Sequence, residues 1–343
     1  MADVTVRGAG IFGLSIAWAC VTRGARVQVI DPHGAAAGAS GGIVGALAPH
    51  VPENWNDKKA FQLDSLLMAE GFWHEVVDVS GVDPGYARLG RVQPLADGGA
   101  ITLAESRAKG AQALWQGRAD WQVVDAGAMP LAPLSGSGRV VLDTLSARIH
   151  PRQACAALAS ALTEKGVEIL PDGPDQGAVL WATGAAGLAA FNEGHSRQVG
   201  AGIKGQAALL AFDARDQPQV FAGGVHIVPH GDGTTAVGST SERDYNDPFS
   251  TDAQLDDVVA AARAAVPALK DAPVIERWAG LRPRARSRAP MLGKHPQFKG
   301  QFVANGGFKI GFGMAPKVAQ VMADLMLEGH GDIPSGFLPE ASF

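Results

Sequence analysis

Cysteine is nearly absent, with two residues in 343, Cys20 and Cys155. A disulfide framework is therefore not expected, and both thiols fall within helix-like patterns that suit a small buried apolar side chain. Aromatic residues make up only 6% of the chain, two of them tyrosines. The nine histidines are scattered, and no metal-ligand spacing appears, so no metal is expected. No uncharged apolar run reaches membrane-spanning length; the longest candidate, 177–191, is short and rich in glycine. Charged residues make up 18% of the chain and the net charge is -5, a balance that gives no support for a nucleic-acid partner. Asp3 and Arg7 would interrupt the apolar core of any signal peptide. The expectation is a cytoplasmic protein.

Glycine is plentiful, with 44 residues, and the first 31 positions put it to use. Val4-Thr5-Val6 reads as a strand, Gly8-Ala9-Gly10-Ile11-Phe12-Gly13 as a turn opening a helix, and Val27-Gln28-Val29-Ile30-Asp31 as a second strand ending in an acid. In a Gly-x-Gly-x-x-Gly fingerprint, Gly8 permits the tight turn, Gly10 admits a pyrophosphate to the backbone, and Gly13 lets helix and strand pack closely. The helix start, at Ile11 and Phe12, offers N–H groups and a positive dipole end to phosphate. Asp31 follows Gly13 by eighteen residues, where a carboxylate accepts hydrogen bonds from a ribose diol. An acid there argues against NADP but does not separate NAD from FAD. The competing reading is a glycine-rich turn that binds nothing.

A Gly/Ala/Ser loop fills 35–50 and suits close backbone approach to a flat ligand; a flexible surface loop is the alternative. An amphipathic helix is predicted over 57–80, with Phe61, Leu63, Leu66, Leu67, Phe72 and Trp73 toward the core, ended by Gly81 and Pro84. Short strands near 91–95 and 139–142 flank a helix near 100–116. His150-Pro151 marks a boundary before a helix over 152–165, followed by strands at 167–170 and 178–184. The second of these is uninterruptedly apolar, as a parallel strand covered on both faces requires. Antiparallel patterns occupy 206–212, 221–229 and 234–240, with a hairpin turn at Gly231-Asp232-Gly233. An Ala-rich helix is expected over 253–265, and a last helix opened by Pro316 and closed by Gly329. The fold class is α/β: a Rossmann-like domain with a parallel sheet, plus an inserted α+β domain with a mainly antiparallel sheet. The nucleotide domain is expected to be discontinuous (1–82, 147–195 and 278–343), and the inserted substrate domain to comprise 83–146 and 196–277.

Six segments occur in a telling order. They are the opening fingerprint, Ala39-Ser40-Gly41-Gly42, Trp181-Ala182-Thr183-Gly184, Lys204-Gly205-Gln206, His226 to Pro229 leading to Val237-Gly238-Ser239-Thr240, and Trp278-Ala279-Gly280-Leu281-Arg282-Pro283. Together they resemble the FAD-dependent glycine oxidase and D-amino acid oxidase family over nearly the whole chain. The resemblance implies FAD as cofactor and oxidation of an amine carbon. It assigns Gly8, Gly10, Gly13 and Asp31 to the pyrophosphate and ribose; the family more often has Glu at the last. It also assigns Ser40, Gly41 and Gly42 to the loop along the flavin, Thr183 and Gly184 to a second flavin motif, and Arg282 to the substrate carboxylate. His226 stands where relatives often carry a substrate-facing tyrosine. Gly307, Phe308, Lys309, Ile310 and Gly311 fall in a segment that the family usually writes Gly-His-x-Arg-Asn-Gly, with its His, Arg and Asn replaced by Gly307, Lys309 and Ile310. After Pro283 the family pattern Thr-Pro-Asp-Gly-x-Pro is also lost. Some relatives tether the flavin to a cysteine in the C-terminal third; none follows Cys155, so non-covalent FAD is expected.

An amine oxidation needs the substrate carbon held over the flavin, and a planar guanidinium is a natural clamp for a carboxylate. Arg282 is the first candidate for that role, with a structural ion pair as its alternative. Lys309 is the second, assisting the carboxylate or facing the flavin, or else merely solvated. His226 would orient substrate or simply fill a strand. Lys204 reads as solvated. The leading expectation is oxidation of glycine, a D-amino acid or an N-substituted glycine to an imine that hydrolyses to a 2-oxo acid. Oxygen or another acceptor would take the electrons, and self-association is left open. Two rivals accompany it. The run Arg286 to Gly293 also looks like the flavin half of the tRNA wobble-uridine modification enzyme, which removes a carboxymethyl group from an amine; the other rival is a flavin-binding protein without turnover.

Overall fold

The computed structural model describes residues 1–127, 129–193 and 195–343. Two large sheets dominate it. The first has six strands in the order Met291–Lys294, Phe302–Asn305, Ala178–Trp181, Val4–Arg7, Val27–Ile30 and Ile169–Leu170. Its neighbours run parallel except at the Met291–Lys294 edge. Val4 and Val6 are fully buried, and the helices Ile11–Thr22, Asp57–Ser80, Pro151–Glu164 and Gly311–Glu328 pack against one another around them. Asn56 caps Asp57–Ser80 by accepting the Lys59 N–H, and Gly81 ends it at a positive φ of 66°. Phe61, Leu63, Leu66 and Trp73 are buried as the periodicity predicts, as are Cys20 and Cys155.

The second sheet has eight strands in the order Val274–Ala285, Gly200–Leu210, Thr235–Gly238, Val225–Pro229, Gln219–Ala222, Arg91–Pro94, Arg139–Asp143 and Trp121–Asp125. It is antiparallel except where Gln219–Ala222 meets Arg91–Pro94. One face buries Ala208, Leu210, Ile227 and Val237 against Leu255, Val259 and Ala262 of the helix Ala253–Ala265. A two-stranded ribbon, Ala46–Leu47 with Ala147–Arg148, carries the chain between the two sheets. The expected domain boundary at 277/278 falls inside the long strand Val274–Ala285.

Three local expectations differ. The run 221–229 is two strands, Gln219–Ala222 and Val225–Pro229, paired antiparallel about Gly223-Gly224, both at positive φ. The last helix begins at Gly311, so Pro316 lies inside it rather than at its start. Gly313 packs where a Cβ would meet Leu66 at 3.3 Å, and Gly311 lies against Ile11; this close packing carries the helix one turn ahead of the proline. Lys204 is buried, with Nζ 3.7 Å from Glu242 and 3.8 Å from Asp252. Its ammonium is held by carboxylates instead of water.

Within the second sheet, Arg91 Nε donates to Asp143 Oδ2 at 3.0 Å, and both side chains are buried. Asp143 also accepts the Ser146 N–H at 2.8 Å. Replacing Asp143 by Ala strands a buried guanidinium, so the urea midpoint should report a loss of about 3–5 kcal/mol. The double replacement Arg91→Met with Asp143→Leu should cost much less, since no unpaired charge remains.

Candidate active site

The glycine turn is built by backbone passing against backbone. A Cβ on Gly13 would stand 1.9 Å from Gly8 O, and one on Gly8, whose φ is +109°, would stand 2.4 Å from Ala182 O. Gly10 is the N-cap of Ile11–Thr22 and brings no capping side chain. Ser40 Oγ reaches back to accept the Ile11 N–H at 2.9 Å, which ties the 39–42 loop to the helix start. Asp31 is oriented from two sides: Oδ2 accepts the Ala9 N–H at 2.8 Å and Oδ1 the His33 N–H at 2.9 Å. Each carboxylate oxygen keeps a second lone pair, as ribose recognition needs.

The flavin-loop candidates are pinned by partners that the sequence reading did not single out. Arg152 Nε donates to Gly41 O at 2.8 Å, and its terminal nitrogens bind Glu276 at 2.6 and 3.1 Å. The Trp278 ring lies 3.4 Å from where a Gly42 Cβ would be. His230 Nε2 is 2.9 Å from Ile43 O. Thr183-Gly184 follows the central strand Ala178–Trp181, and Asn305 Nδ2 donates to Gly184 O at 2.9 Å. Gly307 packs on Phe12, and Gly311 on Ile11, so the starts of the first and last helices converge. The glycine turn, the 39–42 loop, Thr183-Gly184 and the 306–311 segment thus form one neighbourhood. A turn with no room for a Cβ, an oriented acid at the next strand end and two helix N-termini suit a dinucleotide.

Beside this neighbourhood two of the three catalytic candidates, Arg282 and Lys309, meet, whereas the His226 ring packs against Phe221 at 4.7 Å. Phe308, held at a positive φ of 44°, donates its N–H to Pro283 O at 2.9 Å. Around its ring stand Arg282 (Cζ at 5.7 Å), Arg284 (Cζ at 5.5 Å) and Lys309 (Nζ at 5.8 Å). Arg282 Nη1 donates to Ser239 Oγ and Nη2 to Thr240 O, each at 2.6 Å. Its buried Nε has no partner. Burial lowers the Arg282 pKa to about 10, opposed by Glu242, so it stays protonated at neutral pH. Burial, then Arg282 and Arg284, lower that of Lys309. Burial, then the charges of Arg91 and Lys309, lower His226 to about 4, leaving a neutral imidazole whose buried Nδ1 is unpartnered. Arg284 was not selected from sequence; the signal was its place two residues after Arg282, which puts both on one face of a strand.

A model of the FAD-dependent oxidoreductase family, DAO, matches residues 3–325. The chain belongs to that family. Its cofactor is FAD, and it is an oxidoreductase. It is 26% identical over 360 residues to the glycine oxidase of Bacillus licheniformis, covering 95% of this chain and 93% of the relative. The crystal structure of glycine oxidase from Geobacillus kaustophilus superposes with a TM-score of 0.83 at 21% identity, covering 98% of each chain. That of iminodiacetate oxidase from Chelativorans sp. BNC1 gives 0.84 at 21% identity, also over 98% of each. No helix among the described residues is long and apolar enough to cross a membrane.

Two tests follow from this geometry. Gly13→Ala drives a methyl into the Gly8 carbonyl, so FAD retention through gel filtration should fall by about tenfold or more; in the parent protein, acid precipitation should release all of the flavin. Acid should also destabilise the fold. His230 is buried and its pKa is lowered to about 4, by burial first and then by the charge of His150. Below the unfolded value near 6.5 the unfolded chain takes a proton that the folded chain resists, so stability falls as pH drops toward 4. From about pH 7 to about pH 5 this imidazole should withdraw roughly 1–2 kcal/mol, read as a lower Tm that His230→Gln partly restores.

Proposed function

We propose that the chain oxidises the C–N bond of a small amino acid: glycine, a D-amino acid or an N-substituted glycine. The observation that supports this reading most is the face of the strand Val274–Ala285. Glu276, Trp278, Arg282 and Arg284 alternate along it, and the first two contact residues or partners of the 39–42 loop. Arg282 and Arg284 therefore sit on the face that holds the flavin loop. FAD, when bound, takes up the hydride equivalent at N5. The residues assigned to hold it are Gly8, Gly10, Ile11, Phe12, Gly13, Asp31, Ser40, Gly41, Gly42, Thr183, Gly184 and 307–311.

In this reading Arg282 holds the substrate carboxylate, with Lys309 beside it. Ser239 and Thr240 fix the guanidinium so that little ordering is left to binding. His226 is neutral and bounds the pocket without contributing charge. Two electrons and two protons leave the neutral amine as it becomes an imine, a hydride equivalent from carbon and a proton from nitrogen; water then yields the 2-oxo acid and ammonia or an amine. Oxygen or another acceptor reoxidises the cofactor. Residues 1–82, 147–195 and 278–343 are proposed as the FAD-binding part, and 83–146 and 196–277 as the substrate part. A cytoplasmic setting is proposed with them.

Anaerobic mixing of the FAD-loaded protein with a panel of amino acids should bleach the oxidised flavin for at least one small amino acid or N-alkyl glycine. Arg282→Gln should raise KM for it about 10- to 100-fold, as loss of a charged hydrogen-bonded clamp implies. A panel that leaves the flavin oxidised throughout would remove this reading.

A further inference from the structure

Arg282 reaches its partners across a neighbouring strand. In the pairing of Gly200–Leu210 with Val274–Ala285, Arg282 stands opposite Ile203 and Gly280 opposite Gly205. The guanidinium crosses at Gly205, where a Cβ would lie 2.0 Å from Nη2, and ends on residues 239 and 240. Alternation puts Lys204 and Gln206 on the other face of that strand. Farther along, the same face is apolar, with Ala208 and Leu210 packed on the helix Ala253–Ala265. At Lys204 and Gln206 it becomes a polar cluster instead. Lys204, Gln206 and Glu242 are buried, and Asp252 stands at the rim. Gln206 Nε2 donates to Glu242 Oε1 at 3.1 Å and to Asp252 Oδ1 at 2.9 Å, and its Oε1 accepts the Asp252 N–H at 2.8 Å. The backbones of Lys204 and Glu242 exchange two hydrogen bonds, at 3.0 and 2.9 Å, beside their ion pair.

The cluster and the arginine share Thr240. Its hydroxyl donates to Glu242 Oε1 and accepts the Gln206 N–H at 2.8 Å, while its carbonyl accepts Arg282 Nη2 at 2.6 Å. Glu242 also favours the charged form of Arg282 against the burial that opposes it. A buried ion pair adds little stability over apolar packing, so what this cluster contributes is orientation. We infer that Glu242 is a positioning residue for Arg282: held by Lys204 and Gln206 on the far face of the sheet, it fixes Thr240 and thereby the direction in which the guanidinium meets a substrate carboxylate. The inference rests on the proposed role of Arg282 as carboxylate anchor.

The test reads carboxylate binding in the FAD-loaded protein. Acetate, which cannot be oxidised, is titrated against the flavin absorbance spectrum. Half-saturation and limiting rate of anaerobic flavin reduction are taken with glycine, D-alanine and N-methylglycine. Thr240→Val and Glu242→Gln should each raise the acetate Kd and the half-saturating concentration about three- to tenfold, with the limiting rate changed about twofold or less. Thr240→Ser, which keeps the hydroxyl, should recover most of the loss seen in Thr240→Val. In an Arg282→Gln background neither replacement should add a further increase, since the group they steer is gone. A further increase in that background marks a general effect on the fold and overturns the inference, as do parent-like values in both variants. If Glu242→Gln does not fold, Thr240→Val and its serine rescue decide alone. Should Arg282→Gln raise both constants while the far-face variants do not, only the positioning role falls. A flavin spectrum indifferent to acetate, with half-saturation indifferent to Arg282→Gln, removes the anchor and this inference with it. The acetate arm needs no turnover, so an absence of reduction by these amines counts against the proposed oxidation alone.

Discussion

The contact on which the rest depends is that of the Gly13 Cα with the Gly8 carbonyl. A single methyl group at Gly13 would lie 1.9 Å from that oxygen, so this approach exists only because no side chain is there. It seats the helix Ile11–Thr22 close on the strand Val4–Arg7 and aims the helix start over the strand end. Gly8 then lies against Ala182 O, which brings Thr183-Gly184 beside the turn. The Ile11 N–H meets Ser40, and Ala9 N–H meets Asp31, so the loop and the acid are oriented by the same few residues. The neighbourhood proposed for the nucleotide is thus a consequence of close packing at the sheet's centre.

The strand Val274–Ala285 does comparable work around Arg282 and Arg284. It is the edge of the second sheet, yet its alternate side chains reach toward the loop beside the first. Glu276 holds Arg152, which holds Gly41 O; Trp278 lies against Gly42; the Pro283 carbonyl accepts the Phe308 N–H. Small residues make this arrangement possible. A Cβ on Gly280 would meet the Trp278 ring at 2.5 Å, and one on Gly205 would meet the Arg282 guanidinium at 2.0 Å. Arg282, the 39–42 loop and the 306–311 segment are therefore coupled through one rigid element, which favours a preorganised site.

Much of this was legible in the residues. The 57–80 and 253–265 helices coincide with Asp57–Ser80 and Ala253–Ala265, because their apolar spacing and terminal residues are local signals. The glycine fingerprint was legible for the same reason. Pro316 misled, since its local preference for a helix start yields to the packing of Gly311 and Gly313 against Ile11 and Leu66. Lys204 misled because the acids that bury it, Glu242 and Asp252, lie far along the chain. Arg152 went unnoticed because its partners come from two remote segments.

By itself, then, the order of residues determined the elements, the dinucleotide turn and the family, since periodicity, turn chemistry and motif order are carried by neighbours in the chain. Only the tertiary structure decided that Arg282, Arg284 and Lys309 share one ring, that His226 is neutral, and that Lys204 is held by acids. Charge balance and desolvation depend on what lies across space, and Lys309 reaches Arg282 and Arg284 only because the segment before the last helix packs on the strand Val274–Ala285.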